Sequence, residues 1–462
     1  MKKILLFLSL IYAIDSMAQN SEKQFNTDFQ KLLNDPDLKH ATISLYVINT
    51  TTGKTITETN TEVGVAPASC QKVITASTAL ELLGSDYTYK TTIGYTGNIV
   101  NGVLNGNLIL KGSGDPTLGS WRYDQTKEEN MINVFKKAVS KFGIHEIKGH
   151  VYADQSLWNG EATPNGWIWQ DIGNYYGAGA RALNWRENQY DLYLKSGKNI
   201  GDPVEISGTN PIFITGLNLK SKVISAAKGT GDNNYIYIPL NDDYSYIRGT
   251  TPVNENNFTI AGAMPHPATQ LALTLESALK NEPIKKVSAN YPSHDNLSEA
   301  KVFYTYTSPV LDSLIFYFLR RSINLYGEAL VKTMAYNFTR TGDTDSGVSV
   351  IQNFWKKKGI EPYAINIFDG SGLSPSNRVT TKALVTVMEY ARSQSWFPSF
   401  YYALPTISGI KMKSGSINGV ISYTGYIKNK NNDQYTFSFV INNYNGSANA
   451  LRQKMWKLLN IL

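Results

Sequence analysis

Cysteine is all but missing from this chain: Cys70 stands alone among 462 residues, so no disulfide can form within it in any compartment. Histidine is equally sparse. The five histidines show no ligand spacing, which excludes the usual zinc arrangements, and no metal or other cofactor is expected. Gly112-Ser113-Gly114 lacks the lysine and third glycine of a phosphate-binding loop and reads as a plain turn. No arginine-rich stripe or nucleic-acid module is present, so nucleic acid is not an expected partner. Beyond the N-terminus no apolar run approaches the roughly 18 residues of a membrane span, which leaves no transmembrane anchor. Nor is there an N-terminal cysteine that a lipid anchor would need.

What is present describes a folded, exported protein. Hydrophobic residues make up 42% and charged residues 18%, a balance that builds cores rather than disordered chain. The length exceeds what one core usually supports, so two or three packed units are expected. The 29 tyrosines are read mainly as sheet filling. Lys2 and Lys3, the apolar run Ile4 to Ile14, and Ser16-Met17-Ala18 form a charged start, a core and a small-x-small cleavage site. Residues 1–18 are therefore expected to be a signal peptide, and the mature protein to lie outside the cytoplasm. A net charge of +7 favours association with anionic envelope polymers without bearing on fold.

Periodicity divides the chain into three stretches. Residues 24 to 34 have the pattern of a short helix, and Ile43, Leu45 and Val47 alternate as in a half-buried strand. Thr50 to Lys54 is a hairpin turn into a second strand. From Pro67 the period becomes helical, with Val73, Ala76, Leu80 and Leu83 on one face and Gly84 as the stop, so Ser69 falls in the first helical turn. Residues 90 to 290 carry short alternating runs, such as Leu108 to Leu110 and Tyr235 to Ile238, and read as mainly β. Ser308-Pro309 has the form of an N-cap followed by proline, with Leu311, Leu314, Ile315 and Phe318 on one face. The pattern breaks at Arg320 to Asn324 before a helix containing Leu325, Ala329 and Leu330. Ile421–Ile427 and Tyr435–Ile441 pair as a hairpin through a polar turn at 429–433, and Leu451, Met455, Leu458 and Leu462 mark a closing amphipathic helix.

Three short motifs carry chemistry. Ser69-Cys70-Gln71-Lys72 puts a hydroxyl and an amine three residues apart on a helix, hence on one face. A serine is a weak nucleophile without a base beside it, and lysine serves as that base only where burial or a nearby cation favours its neutral form. Ser322-Ile323-Asn324 lies where the helical pattern breaks, free to project its side chains. Lys413-Ser414-Gly415 precedes the last hairpin, on a strand whose edge suits an extended peptide. Singly each triplet reads more simply as surface decoration. In order, they are the S-x-x-K, S-x-N, K-[ST]-G set of serine acyl-transferring enzymes. Cys70, beside Ser69, raises a reactive-thiol reading; a small buried helix residue is the plainer one.

With these residues in place, the sequence from about 40 to the end resembles the class C low-molecular-mass penicillin-binding proteins, the D-alanyl-D-alanine carboxypeptidases/endopeptidases. Arg321 to Leu330, Gly112 to Leu118 (GSGDPTL), Tyr176-Gly177-Ala178 and Asp369 to Ser374 (DGSGLS) add to the likeness. The resemblance implies an α/β (α+β) fold: a β-lactamase-like transpeptidase domain whose antiparallel sheet is flanked by helices. That domain would span 19–90 and 291–462, interrupted at 91–290 by a mainly β insertion of one or two small domains. It further implies that Ser69 attacks the penultimate D-alanine carbonyl, Lys72 takes its proton, and Ser322 relays it to the leaving group. Asn324 would hold the substrate amide, and Lys413 would keep the site positive. Ser414, Gly415 and Ser416 would receive the substrate, with the Ser69 and Ser416 N–H groups forming an oxyanion hole. Asp171 matches a position implied to grip the amino group of the substrate's diamino acid; an N-cap or loop hydrogen bond is the simpler alternative.

Peptidoglycan stem peptides would be the substrate and β-lactams covalent inhibitors, in a periplasmic setting. A serine β-lactamase, or a catalytically silent wall-binding protein of the same fold, stand as alternatives. The oligomeric state and the balance of carboxypeptidase against endopeptidase action stay open at this level.

Overall fold

A computed structural model describes residues 21–158, 160–239, 244–281, 299–429 and 432–462. The expected signal peptide therefore lies outside the described residues. The chain folds as two compact units. One comprises the chain up to Ser85 with Asp312–Ile323 and Val348–Leu462; the other comprises Asp86–Leu311 and Asn324–Gly347.

The first unit is organised by a six-stranded antiparallel sheet. Its strand order is Thr406–Ile407, Ile410–Ile417, Val420–Lys428, Gln434–Asn442, Thr42–Asn49 and Thr55–Thr59. Ile43 pairs with Ile441 and Lys413 with Thr424, so segments from opposite ends of the chain lie side by side. On one face Leu45, Val47, Tyr435, Phe437 and Phe439 meet Phe25 and Phe29 of the 21–33 helix and Met455 and Leu458 of the Ala448–Leu459 helix. The other face carries small polar residues. Alternation alone reads such a face as solvent-exposed, yet Ser44, Ser422, Thr424, Thr436 and Ser438 are buried.

Helices cover that polar face, and its hydroxyls find partners beneath them. Ser44 Oγ lies 2.8 Å from Thr381 Oγ1 on the Thr381–Arg392 helix, and Thr424 Oγ1 lies 2.9 Å from Ser438 Oγ. A buried hydroxyl so paired avoids a desolvation penalty of about 1–3 kcal/mol. The Lys72–Leu83 helix is central rather than one-sided: every residue from Lys72 to Leu80 is buried, while Leu83 is only partly so. Its polar side is satisfied from within, since Thr78 Oγ1 accepts from Trp355 Nε1 at 2.9 Å and Thr75 Oγ1 donates to the Gly370 carbonyl at 2.7 Å.

The second unit is less purely β than its alternating runs indicate. A four-stranded sheet, ordered Lys301–Thr307, Lys90–Tyr95, Leu108–Lys111 and Val151–Asp154, packs with two 14-residue helices, Glu128–Lys141 and Pro267–Lys280. Phe135, Leu271, Leu110 and Ile93 share that core. Two three-stranded sheets, Gln189–Lys195 with Glu205–Asn210 and Phe258–Ala263, and Leu219–Ala226 with Ser245–Pro252 and Tyr235–Tyr237, share another.

This unit reaches beyond 91–290. The Asn324–Thr339 helix joins it because Thr333 Oγ1 lies 3.0 Å from the Tyr89 hydroxyl and Tyr326 bonds Glu187. Ser308 does not cap a helix. Its hydroxyl accepts the Tyr89 N–H at 2.9 Å and donates to the Pro309 carbonyl, and the helix begins at Leu311.

Candidate active site

Ser69 sits in a 3₁₀ turn, Ala68–Gln71, that runs directly into the Lys72–Leu83 helix. The sequence pattern places it in the first α turn; the tighter turn matters because side chains three apart eclipse in 3₁₀ geometry. Lys72 Nζ accordingly lies 3.0 Å from Ser69 Oγ. The amine also donates to the Ser371 carbonyl at 2.6 Å and lies 5.8 Å from the Phe318 ring centroid, with the lysine fully buried.

The turn is held under strain. Ala68 has φ +45°, a left-handed conformation that L-residues enter at a penalty of order 1–3 kcal/mol. Two contacts oblige it. Ser422 Oγ donates to the Pro67 carbonyl at 2.6 Å, and Gly372, at φ +82°, approaches so closely that a Cβ there would stand 1.9 Å from the Ala68 oxygen.

Gly372 belongs to the Asp369–Ser374 loop, which the buried Asp369 carboxylate organises. Its Oδ1 accepts from Gly372 N–H (2.9 Å), Gln71 Nε2 (3.0 Å) and Asn377 Nδ2 (2.9 Å), and its Oδ2 accepts from Ser374 N–H (2.7 Å). Gln71 Nε2 also donates to the Asp369 carbonyl at 2.6 Å. The motif thus positions the Ser371 carbonyl that receives Lys72. Sequence reading marked the hallmark but had no role for it, because its partners are Gln71, Lys72 and Thr75, far away along the chain.

The Ile410–Ile417 strand supplies the third motif. Lys413 is buried, and that burial lowers its amine to about 8, opposed by the neighbouring Cys70. Its Nζ donates to the Ser414 carbonyl at 2.6 Å. Gly415 is required by contact: a Cβ would lie 2.7 Å from Ser69 N and 2.8 Å from the Pro67 oxygen. Ser414 and Ser416 point to the opposite side of the pleat, where Ser416 is exposed and its Oγ accepts from Arg452 Nη2 at 3.2 Å. Arg452 has no motif signature in sequence. Cys70 is buried with its thiol donating to the Lys413 carbonyl at 3.1 Å, and burial pushes that thiol up, away from reactivity.

Ser322 lies at the break after the Leu311–Arg321 helix with φ +58°, a second left-handed non-glycine residue. Arg320 pins this break by donating to the Ala403 and Tyr402 carbonyls. Ser69, Lys72, Ser322, Lys413, Ser414, Gly415 and Ser416 belong to the first unit, where Lys72 and Gly415 lie directly against Ser69, whereas Asn324 and Asp171 belong to the second.

Within the second unit, Asn324 Nδ2 donates to the Tyr176 carbonyl at 2.9 Å, and the Tyr176 hydroxyl donates to Asp171 Oδ1 at 3.3 Å. Asp171 is half-buried in the short Trp169–Ile172 helix, and burial raises its carboxyl against that hydrogen bond. Tyr326 donates to Glu187 Oε1 at 2.9 Å, an oxygen that also accepts from Ser120 Oγ (2.7 Å) and Arg122 Nε (2.8 Å). Glu187 therefore anchors the helix that begins at Asn324. Nothing in its local sequence announced this.

Comparison with known proteins gives a consistent result. The profile described as the D-Ala-D-Ala carboxypeptidase 3 (S13) family matches residues 25–461. A D-alanyl-D-alanine carboxypeptidase of Actinomadura sp. (strain R39) is 24% identical, over 96% of this chain and 86% of that protein. The crystal structure of penicillin binding protein 4 (dacB) from Haemophilus influenzae superposes with a TM-score of 0.76 at 23% identity, covering 91% of this chain and 96% of that one. The same protein complexed with a novel β-lactam gives 0.71 at 20% identity, with coverages of 91% and 96%. The two structures establish the shared fold.

Gly372→Ala should destabilise the protein by roughly 2–4 kcal/mol, combining a left-handed φ with a backbone clash. Urea denaturation checks this. An unchanged midpoint would mean that the Asp369–Ser374 loop does not press on the Ser69 turn.

Proposed function

The chain belongs to the D-Ala-D-Ala carboxypeptidase 3 (S13) family and is a serine-type D-alanyl-D-alanine peptidase, and on that premise we propose that Ser69 is its acylated nucleophile and Lys72 its base. The observation that carries the proposal is the 3.0 Å contact between Ser69 Oγ and the fully buried Lys72 amine. The amine is held there by the Ser371 carbonyl as well, which fixes it within reach of the serine's proton. Ser69 Oγ adds to the carbonyl carbon of the penultimate D-alanine as Lys72 takes its proton. The proton passes through Ser322 to the departing amine nitrogen as the C–N bond breaks, leaving an ester on Ser69. Water, activated by the same base, adds to that ester and releases the shortened peptide.

The remaining residues take supporting roles. Lys413 keeps the pocket positive, and the close seating of Gly415 on Ser69 N fits an oxyanion hole from the Ser69 and Ser416 N–H groups, worth roughly 3–4 kcal/mol per donor. Ser414 and Ser416 receive the terminal carboxylate, and Arg452, already on Ser416 Oγ, adds a guanidinium there. Asn324 holds the substrate amide, supported by its motif and by the Tyr176 carbonyl that fixes its Nδ2. Asp171 takes the amino group of the diamino acid. Peptidoglycan stem peptides are the substrate, in the periplasm, and β-lactams acylate the same serine. Among the described residues no helix is long and apolar enough to cross a membrane.

Intact mass after incubation with benzylpenicillin should show a persistent adduct on the native chain and none on Ser69→Ala. An adduct that survives in the variant would sink the nucleophile assignment, and rapid drug hydrolysis without adduct would favour a β-lactamase. The rate of acylation should fall as pH rises through about 8, where Lys413 loses its proton, by about tenfold per further pH unit. In Lys413→Arg, whose guanidinium stays charged, that decline should vanish; the same decline in the variant would assign it to another group. Arg452→Gln should lower kcat/KM for a peptide ending in free D-Ala-D-Ala by roughly three- to tenfold, as loss of a charge-assisted hydrogen bond does. The C-terminal amide of that peptide should be unaffected; equal losses on both would remove Arg452 from carboxylate binding.

A further inference from the structure

The sheet formed by Leu219–Ala226, Ser245–Pro252 and Tyr235–Tyr237 has two faces of opposite character. Val223, Ile236 and Ile247 turn inward to a core shared with Leu192 and Ile260. The register sets Lys220 and Tyr237 on either side of Tyr246, and Lys222 and Tyr235 on either side of Arg248. Residues paired across a ladder share a face, so three cations and three tyrosines form two parallel rows on the outer side. No carboxylate occupies an outward position in these three strands.

The rings are ordered by one another and by the cations. Tyr237 and Tyr246 stack with centroids 5.4 Å apart and planes at 23°, and Lys222 Nζ lies 4.0 Å from the Tyr246 centroid. Arg248 stands 5.7 Å from the Tyr237 ring. Trp169 extends the platform, 4.8 Å from Tyr237 and held by its Nε1–H on the Ile238 carbonyl at 3.0 Å. It remains 47% exposed, Tyr235 38% and Ile224 49%. Large rings left this open on a built surface, beside exposed cations, mark a recognition site rather than a leftover.

We propose that this face binds the peptidoglycan polymer itself, with the sugar rings lying on Tyr237, Tyr235 and Trp169 and stem-peptide carboxylates meeting Lys220, Lys222 and Arg248. The proposal rests on the peptidase reading, which makes that polymer the substrate. The chemistry matches in both components: flat amphipathic rings suit the apolar faces of pyranoses, and a row of cations suits a polymer carrying periodic carboxylates. A surface of this kind would keep the enzyme on the wall between cleavage events, raising the effective concentration of stem peptides.

The test is co-sedimentation of the full chain with purified insoluble peptidoglycan, alongside hydrolysis of a small soluble D-Ala-D-Ala peptide. Lys220→Glu/Lys222→Glu/Arg248→Glu should weaken sedimentation at least tenfold while soluble-peptide hydrolysis stays at the native rate. Tyr237→Ala should weaken it further under high salt, where the cations are screened and the rings carry the contact. Native sedimentation by the triple variant would overturn the proposal. So would equal displacement of the native chain by polyglutamate or single-stranded DNA, which offer charge without the wall's sugars. A native chain that hydrolyses no soluble peptide would instead count against the peptidase reading, since sedimentation does not depend on turnover.

Discussion

The chemistry proposed for this protein depends on one buried amine. Lys72 has no exposed surface, and its Nζ is bound to Ser69 Oγ and to the Ser371 carbonyl. An isolated ammonium so placed would face a desolvation penalty of several kcal/mol. Hydrogen bonds to the Ser69 hydroxyl and the Ser371 carbonyl offset part of that penalty. The contact sets an amine directly beside a serine hydroxyl, a group that is a weak nucleophile without such a neighbour.

Much of the first unit can be understood as scaffolding for that contact. The polar face of the sheet gives a bed of hydroxyls rather than methyl groups, and Ser422 reaches from it to the Pro67 carbonyl. The Asp369 carboxylate, saturated with donors, stiffens the loop that presents Ser371. Between sheet and loop the chain is forced into a left-handed step at Ala68, and a second such step occurs at Ser322. Non-glycine residues in this region gather where surrounding structure over-determines the backbone. Of the thirteen such residues among those described, these two lie within one residue of, or at, positions in the three sequence motifs.

Burial divides the charged groups by purpose. Glu187 is fully enclosed, but Ser120, Arg122 and Tyr326 converge on one of its oxygens, an arrangement that fixes a helix without leaving a reactive group. Lys413 is as deeply buried but donates to a neutral carbonyl, that of Ser414, and burial lowers its amine to about 8. The outer sheet face of the second unit is the reverse case. Its cations are exposed, with tyrosines as their neighbours, and so remain available to an anionic polymer.

The order Ser69–Lys72, Ser322–Asn324, Lys413–Gly415 determined the reaction class from sequence alone, because a serine and a lysine three residues apart on one helical turn must meet through local geometry. The hairpin of Val420–Lys428 and Gln434–Asn442 was legible for the same reason, its pattern being set by neighbours in the chain. What local pattern could not reveal was which faces are covered. The hydroxyl-bearing sheet face and the polar side of the Lys72–Leu83 helix looked solvent-exposed, and only helices brought from elsewhere in the chain bury them. The roles of Asp369, Glu187 and Arg452 were hidden for a related reason. Glu187 and Arg452 bond residues dozens of positions away or more, and the Asp369 loop meets Gln71, Lys72 and Thr75 from about 300 residues off, so each acquires its role only when tertiary packing decides what stands opposite it.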